Sequence, residues 1–174
     1  SMFLQKNGEP LDFYTAAKSG RSVGTPGLLH MLSYAHQHYG NQPWKSLFAP
    51  ATALAKNGFP VSPRLASLIQ KSAKNNPHPS FKAMFLNEDG SPLQTKQIMK
   101  NQALAETFNQ IAHDGIKPFY EGRIAEAITT VIQQNGLAGV LRKEDLATYH
   151  SVKRLPLCGA YRSYLVCSIG PPSS

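Results

Sequence analysis

Residues 19–27 have the sequence SGRSVGTPG, in which three of nine positions are glycine. Glycine at this density indicates a tight backbone path, because glycine adopts backbone angles that other residues avoid. Thr25 can cap a following helix, and Pro26 suits its first turn. The apolar residues that follow recur at helical spacing and stop before Gly40: Leu28, Met31, Leu32, Ala35 and Tyr39. This pattern predicts a helix that begins just after the glycine run.

Four more helices are predicted downstream of this first one. They are expected at residues 50–58, 62–74, 101–115 and 124–136, followed by a short helical turn at residues 143–147. Pro50 is expected to open the second helix after a turn over residues 43–47, and Asn101 to cap the fourth. Residues 75–77 are expected to stop the third helix, and residues 77–97 to form a loop with a turn at 87–90.

Residues 152–169 change to short alternating apolar runs, which predict a β-hairpin. We expect its turn near Gly159, so that Cys158 lies beside the turn and Cys167 far along the returning strand. That separation excludes a disulfide, and two buried free thiols are expected. Two strands alone are marginally stable, so the hairpin is expected to join a larger sheet formed by residues beyond Ser174.

The length and composition of the chain predict one compact unit. With 174 residues and 41% hydrophobic content, the chain can bury a single core of ordinary size. It has no run of about eighteen apolar residues and no basic, apolar leader, so neither a membrane span nor a signal peptide is expected in it. Ser1 before Met2 is typical of a residue left after tag removal, so natural sequence is expected to precede Phe3.

The net charge of +8 is concentrated in the first half of the chain. Between Phe13 and Asn87 there is no Asp or Glu, but there are eight basic residues: Lys18, Arg21, Lys45, Lys56, Arg64, Lys71, Lys74 and Lys82. They are spread singly over about seventy residues, which disfavours the continuous basic groove of a nucleic-acid-binding protein. A solvated surface is the favoured interpretation, and a basic face for an acidic partner or an anionic substrate is the alternative.

No metal-binding or phosphate-binding residue is predicted. The glycine run lacks both a Gly-Lys-Ser/Thr ending and a preceding apolar strand, so a structural turn is favoured over a phosphate loop. His30, His36 and His38 share one helix, but none of their spacings is the i, i+4 spacing of a helical metal-binding pair. Solvated histidines are the favoured interpretation.

No catalytic residue is predicted either. Thr129 and Thr130 lie within a helix without an obvious base, and Ser173 and Ser174 show no activating group. The acidic pair at residues 144–145 is best explained as support for the start of a helix.

Several segments in order give the chain a family resemblance. The glycine run at residues 19–27 pairs with Tyr161-Arg162-Ser163-Tyr164 and Pro171-Pro172-Ser173-Ser174 near the end, and residues 39–44, 50–59, 119–125 and 144–149 lie between them. This series resembles the large subunit of gamma-glutamyltransferases over nearly the whole chain. The matching motif positions, for which a structural role is expected, are Gly20, Arg21, Gly24, Pro26, Gly27, Tyr161, Arg162, Pro172, Ser173 and Ser174. Thr25, Lys153 and Ser163 depart from the residues that are usual in the family.

The resemblance implies a mainly α fold with a C-terminal β-hairpin, as a fragment of an αββα N-terminal-nucleophile hydrolase. In that family a precursor cuts itself into a large and a small subunit, and a threonine at the new N-terminus attacks the gamma-glutamyl carbonyl with its own amine as base. Glutathione is the typical donor, and the acyl group passes to water or an amino acid. The threonine, the oxyanion hole and most donor-binding groups belong to the small subunit beyond Ser174, and the donor-binding arginine precedes Phe3. No catalytic residue, substrate-binding residue or cofactor is therefore assigned to this chain.

The resemblance also predicts how the chain is organised and what it meets. We expect a single partial domain over residues 1–174, with an irregular lead-in at 1–27, a helical part at 28–149, and a hairpin with a truncated end at 150–174. The expected partners are the small subunit of the same precursor and, in the full enzyme, glutathione and gamma-glutamyl compounds, with no nucleic acid. Family habit places the protein in the periplasm or outside the cell. Two alternatives stay open: a stand-alone basic helical module that binds nucleic acid or an acidic protein, and a related N-terminal-nucleophile acylase.

Overall fold

The computed structural model describes residues 2–76, 78–134 and 137–170. Its α-helices are α1 (Phe13–Ala17), α2 (Leu28–Tyr39), α3 (Trp44–Asn57), α4 (Pro63–Ala73), α5 (Pro79–Phe85), α6 (Gln102–Asp114), α7 (Lys117–Tyr120), α8 (Arg123–Gln134) and α9 (Lys143–Ala147). A 3₁₀ turn covers Gly20–Ser22, and the strands are β1 (Phe59–Pro60), β2 (Ile98–Met99), β3 (Leu157–Tyr161) and β4 (Tyr164–Ser168). The predicted architecture, mainly α with a C-terminal β-hairpin, is confirmed.

Side-chain caps start the helices that the sequence predicts best. The Ser62 hydroxyl accepts a hydrogen bond from the Leu65 N–H (3.1 Å) at the start of α4, and the Asn101 side chain accepts one from the Leu104 N–H (3.0 Å) at the start of α6. Both helices and α8 are confirmed, as is the short α9. The stop expected at Pro77 and the end of the fifth predicted helix at Gly136 lie outside the described residues.

The start predicted for α3 is wrong. The helix begins at Trp44 rather than Pro50, so residues 44–47 are helical and Pro50 lies inside the helix. A proline in a helix interior costs about 3 kcal/mol, because it removes one backbone hydrogen bond and crowds the preceding turn. Helix α3 packs along α6, and the Trp44 indole N–H donates to the Ile111 carbonyl (3.0 Å). This packing offsets the cost of the proline.

Residues 77–97, expected to form a loop, contain helix α5 instead. The helix has only seven residues, and the His78 ring accepts a hydrogen bond from the Ser80 N–H (3.3 Å) at its start. A helix this short shows too few turns for its spacing to be read from sequence. The predicted turn at residues 87–90 is confirmed, with the Gly90 N–H donating to the Asn87 carbonyl (2.9 Å).

The buried core lies where α7, α8 and α9 meet. Its buried members are Tyr120, Ala125, Ile132, Leu141 and Leu146, and Leu29 of α2 packs against them. The apolar stripe predicted on α2 faces largely outward, since Leu28, Met31, Leu32 and Tyr39 are exposed. Helix α2 therefore meets the core with a different face from the one that its apolar spacing indicates.

The hairpin of β3 and β4 is antiparallel, and every residue in its two strands is exposed. Its turn is at Arg162 and Ser163, where Arg162 adopts a left-handed φ of 55°. Cys158 consequently lies directly opposite Cys167, with a Cα–Cα distance of 4.1 Å, and the two form a disulfide. The expected turn near Gly159 and the expected free thiols are both wrong, because the two-residue turn lies farther along the chain.

Candidate functional site

The glycine run packs against the segment that follows α8. Gly20 is buried, and a Cβ at this position would overlap the Ile132 carbonyl oxygen and the backbone of Gly139. The Gly139 N–H itself donates to the Ile132 carbonyl (3.0 Å), which fixes the chain on the other side of the contact. Two backbones approach here at a distance that no side chain permits.

Tyr120 caps helix α2 from 90 residues away in sequence. Its hydroxyl accepts a hydrogen bond from the His30 N–H (3.0 Å) and donates one to the Pro26 carbonyl (2.7 Å). The His30 N–H belongs to the first turn of α2, where backbone N–H groups have no partner within the helix. The cap expected from Thr25 is wrong: Gly27 occupies the N-cap position, and no side-chain cap hydrogen bond forms there.

Tyr149 and Ser151 complete a cluster that we call the Tyr–His junction, comprising Pro26, His30, Tyr120, Tyr149 and Ser151. The ring of Tyr149 stacks on that of Tyr120, with 6.2 Å between centroids and 7° between planes. The Tyr149 hydroxyl fills the space that a side chain at the N-cap would need. His30 Nδ1 accepts hydrogen bonds from the Ser151 hydroxyl (2.9 Å) and the Ser151 N–H (3.2 Å). Three chain segments, at residues 26–30, 120 and 149–151, are thereby held together.

The chemistry of the junction is structural. Burial raises the pKa of the Tyr120 phenol above its ordinary value, so the hydroxyl keeps the proton that it donates to Pro26. The contact of Ser151 with His30 has the length of a nucleophile–base pair, but the Ser151 N–H also donates to the same ring nitrogen. In the described part of the chain, no carboxylate is hydrogen-bonded to His30 to orient the ring as in a catalytic triad.

The three histidines of α2 have separate environments. His30 is half-buried in the junction, so the expectation that it is solvated is wrong. His36 and His38 bond through their rings to the backbone carbonyls of Gln42 (2.7 Å) and Tyr34 (2.8 Å). Among the described residues, no group of three or more His, Cys, Asp or Glu side chains could hold a metal ion.

The hydroxyl and carboxyl groups considered as catalytic candidates serve helices. The Thr129 hydroxyl is buried and donates to the Ala125 carbonyl (3.0 Å) within α8. The Asp145 carboxylate accepts a hydrogen bond from the Arg142 N–H (2.8 Å) at the start of α9. The structure does not bring these groups together with the Tyr–His junction into one constellation.

The remaining motif residues are dispersed. The Arg21 guanidinium donates to the backbone carbonyls of Met2 and Leu4 (3.3 Å each), which ties the N-terminal segment to the glycine run. Gly24 has open space around it, Tyr161 ends β3, and Arg162 is the first residue of the hairpin turn. Pro172, Ser173 and Ser174 lie outside the described residues. In the ranges that the structure describes, no helix is long and apolar enough to cross a membrane.

Sequence reasoning missed the role of the junction residues. Tyr120 and Tyr149 lie in segments that carry the resemblance, but their contacts with the start of α2 span roughly 90 to 120 residues. The one local signal was Gly27 at the start of a predicted helix, a position where a capping side chain is common. At α2 the first-turn N–H of His30 is capped by Tyr120, a residue distant in sequence, instead of by a neighbouring side chain.

The comparisons with known proteins agree with one another. The family model described as Gamma-glutamyltranspeptidase matches residues 1–174. The chain is 39% identical over 175 aligned residues to a glutathione hydrolase proenzyme of Escherichia coli, covering 99% of this chain and 30% of that protein. A Bacillus subtilis glutathione hydrolase proenzyme is 32% identical over 99% of this chain and 29% of its own length. This chain thus spans less than a third of either relative.

Solved structures carry the same fold. The crystal structure of Helicobacter pylori gamma-glutamyltranspeptidase matches with a TM-score of 0.89 and 33% identity, covering 99% of this chain and 49% of that one. A cephalosporin acylase from Bacillus halodurans matches with a TM-score of 0.70 and 25% identity, over 91% of this chain and 32% of that one. The predicted fold class, a fragment of an αββα N-terminal-nucleophile hydrolase, is confirmed.

Proposed function

This chain belongs to the gamma-glutamyltranspeptidase family, and from that premise we propose that it is a segment of the large subunit of a glutathione hydrolase. The observation that carries the proposal is the family match over all 174 residues. The parent enzyme would cleave the gamma-glutamyl bond of glutathione and related compounds. It would pass the gamma-glutamyl group to water or to an amino acid.

The proposed chemistry follows from an N-terminal threonine created by self-cleavage of a precursor. The threonine hydroxyl attacks the gamma-glutamyl carbonyl, and its proton passes to the threonine α-amine. The amide bond of the donor then breaks, its amine leaves with that proton, and the gamma-glutamyl group stays on the threonine as an ester. Water or an amino acid then attacks the ester and releases the threonine. Both bacterial relatives are proenzymes, which supports processing of a precursor.

For this segment we propose the role of scaffold and subunit contact, as a single partial domain over residues 1–174. The Tyr–His junction holds the helical part together, and the hairpin presents apolar side chains such as Tyr164 and Leu165, which are 71% and 70% exposed. An isolated hairpin with exposed apolar side chains is expected to pack against another part of a sheet sandwich. The small subunit of the same precursor is the proposed partner.

We also propose that the parent protein is periplasmic or secreted. The Cys158–Cys167 disulfide supports this location, since disulfides persist in oxidising compartments and are rare in the cytosol. Family habit points the same way.

Of the two alternative functions, one has structural support. The match to a cephalosporin acylase shows that an enzyme with a different named substrate carries a similar segment, so a related acylase remains the second candidate. The stand-alone binding module is disfavoured, because the chain aligns along its whole length with one part of longer enzymes.

The test is to express the natural reading frame, extended on both sides of this chain, and to sequence the N-terminus of any smaller band on a denaturing gel. The proposal expects two bands, with the smaller one starting at threonine. Two activities are then compared: release of the gamma-glutamyl group from glutathione, and release of the side-chain acyl group from a cephalosporin. The faster reaction distinguishes the hydrolase from the acylase. A single uncut chain would contradict the proposal of an active self-processing enzyme.

A further inference from the structure

An open groove separates α1 from the junction of α4 and α5. Its volume is about 1170 Å³. The described residues that line it are Tyr14, Lys18, Lys71, Ser72, Asn75, Asn76, His78 and Pro79. We call this feature the basic groove. Lys18 is the C-cap of α1 and Lys71 lies in the last turn of α4, so the two lysines come from different helices.

Local hydrogen bonds leave the basic groove rich in donors. The Asn76 side-chain oxygen accepts from the His78 N–H (3.2 Å), so the part of Asn76 left for a ligand is its NH₂ group. His78 Nδ1 accepts from the Ser80 N–H (3.3 Å), which places the ring hydrogen on Nε2. In both side chains the acceptor atom is therefore already hydrogen-bonded near the start of α5. The Asn76 NH₂ group and the His78 Nε2–H remain as donors for a ligand.

The charge around the groove is mainly positive. Residues 13–87 contain eight basic residues and no acidic one. A carboxylate nearby is that of Asp12, which caps the start of α1 and whose pKa is lowered by hydrogen bonds to Thr15 and Tyr14 and by the charge of Lys18. Within residues 2–76, 78–134 and 137–170, the one ion pair joins Lys117 to Glu121, so neither Lys18 nor Lys71 forms an ion pair with a described carboxylate.

We propose that the basic groove binds the carboxylates of an extended acidic peptide. Two lysines from different helices, with amide and hydroxyl groups in the same lining, fit several carboxylates spaced along a chain better than one small anion. A single aromatic residue, Tyr14, lines the described groove, whereas single-stranded nucleic acids are bound on several stacking aromatics.

The test is fluorescence anisotropy of labelled hexaglutamate with the full-length protein that carries this segment. We expect Lys18→Gln combined with Lys71→Gln to weaken binding about tenfold, the loss of two partly screened charge contacts. The matched control combines Lys45→Gln with Lys56→Gln, which removes the same charge from the same acid-free stretch but outside the groove. We expect the control to change binding by less than about twofold. Equal losses in the two double variants would overturn the proposal, since total charge rather than position would then control binding.

A second pair of variants tests the donor arrangement without changing a lysine. Asn76→Asp retains the oxygen that accepts from His78 but replaces the donor with a carboxylate oxygen, so we expect weaker binding of hexaglutamate. Asn109→Asp, on α6 and outside the basic groove, is the matched control and should leave binding unchanged. Circular dichroism verifies that each variant is folded.

The choice of ligand class is tested with two further probes. Labelled hexaglutamine should not bind, because it carries no carboxylates on its side chains. A single-stranded oligonucleotide of six nucleotides should bind more weakly than hexaglutamate. Tighter binding of the oligonucleotide, or equal binding of hexaglutamine, would overturn the proposal. Because anisotropy measures binding alone, these outcomes are independent of self-cleavage and of glutathione hydrolysis.

Discussion

The Tyr–His junction and the β3–β4 hairpin are stabilised in opposite ways. In the junction, residues about 90 to 120 positions apart share partly buried hydrogen bonds and stacked rings. In the hairpin, neighbouring strands pair directly, every side chain is exposed, and a disulfide joins residues nine positions apart. The junction depends on tertiary structure, whereas the hairpin depends on a local turn and a cross-link. The comparison predicts that substitutions in the two regions have very different effects on the stability of the helical body.

The largest difference is expected between two leucines. Leu146 is 0% exposed in the core beside the junction, whereas Leu155, just before the hairpin, is 91% exposed. Leu146→Ala should lower the free energy of unfolding by about 3 kcal/mol, because it removes buried methyl groups and leaves a cavity. Leu155→Ala should change it by less than about 0.5 kcal/mol. Urea unfolding of the chain, followed by helical circular dichroism, measures both; equal effects would contradict the assignment of the core.

A smaller loss is expected when the close backbone approach at Gly20 is prevented. Gly20→Ala should cost about 2 kcal/mol, because its Cβ meets backbone atoms of Ile132 and Gly139 that have little room to move. Gly24→Ala, four residues along in open space, should be neutral or slightly stabilising, since alanine restricts the unfolded chain. The same unfolding experiment compares them. Similar behaviour of both variants would exclude a tight contact at Gly20.

Removal of one hydroxyl tests the tertiary cap. Tyr120→Phe should cost about 1–2 kcal/mol, because the His30 N–H and the Pro26 carbonyl both lose their hydrogen-bond partner. Tyr161→Phe, on the exposed hairpin, is the matched control and should have almost no effect. Amide exchange in the first turn of α2 should also become faster in Tyr120→Phe, and unchanged exchange there would argue against the cap.

The same variant gives a pH signature. Burial raises the pKa of the Tyr120 phenol, so its contribution to stability is present below the ordinary phenol pKa of about 10 and is lost as the pH rises through the raised value. The stability difference between the parent protein and Tyr120→Phe should therefore shrink above about pH 10. A difference that stays constant up to about pH 11 would show that the phenol has the same pKa in the folded and unfolded protein, which contradicts the raised value.

The smallest effect on the helical body is expected from the hairpin disulfide. Reduction, or the pair Cys158→Ser and Cys167→Ser, should destabilise the hairpin itself by about 2 kcal/mol. It should change the unfolding of the helices by less than about 0.5 kcal/mol, because the strands contact chiefly each other. Proteolysis of the hairpin measures the first effect, and circular dichroism the second. Loss of helical stability on reduction would show that the two regions are coupled.

Local signals in the sequence were sufficient for the helices that start with their own caps. Ser62 and Asn101 each bond to an N–H three residues ahead, so both helix starts were predicted correctly. The cap of α2 and the start of α3 were not predicted correctly, because Tyr120 caps α2 from a distance and packing against α6 tolerates Pro50 inside α3. The disulfide was missed because the hairpin turn was expected near Gly159, whereas it lies at Arg162 and Ser163. A shift of the turn along the chain changes every cross-strand pair.

The sequence by itself determined the class of the fold, the family resemblance and the order of the main elements, since these depend on residue spacing and on motifs within short stretches. Only the tertiary structure decided which face of α2 meets the core, that His30 is half-buried, and that Asn76 and His78 leave donors facing one groove. Each of these depends on contacts between residues that the chain brings together only on folding. A hydrogen bond between distant residues leaves no periodic pattern in one sequence, and the burial that gives it strength exists only after packing.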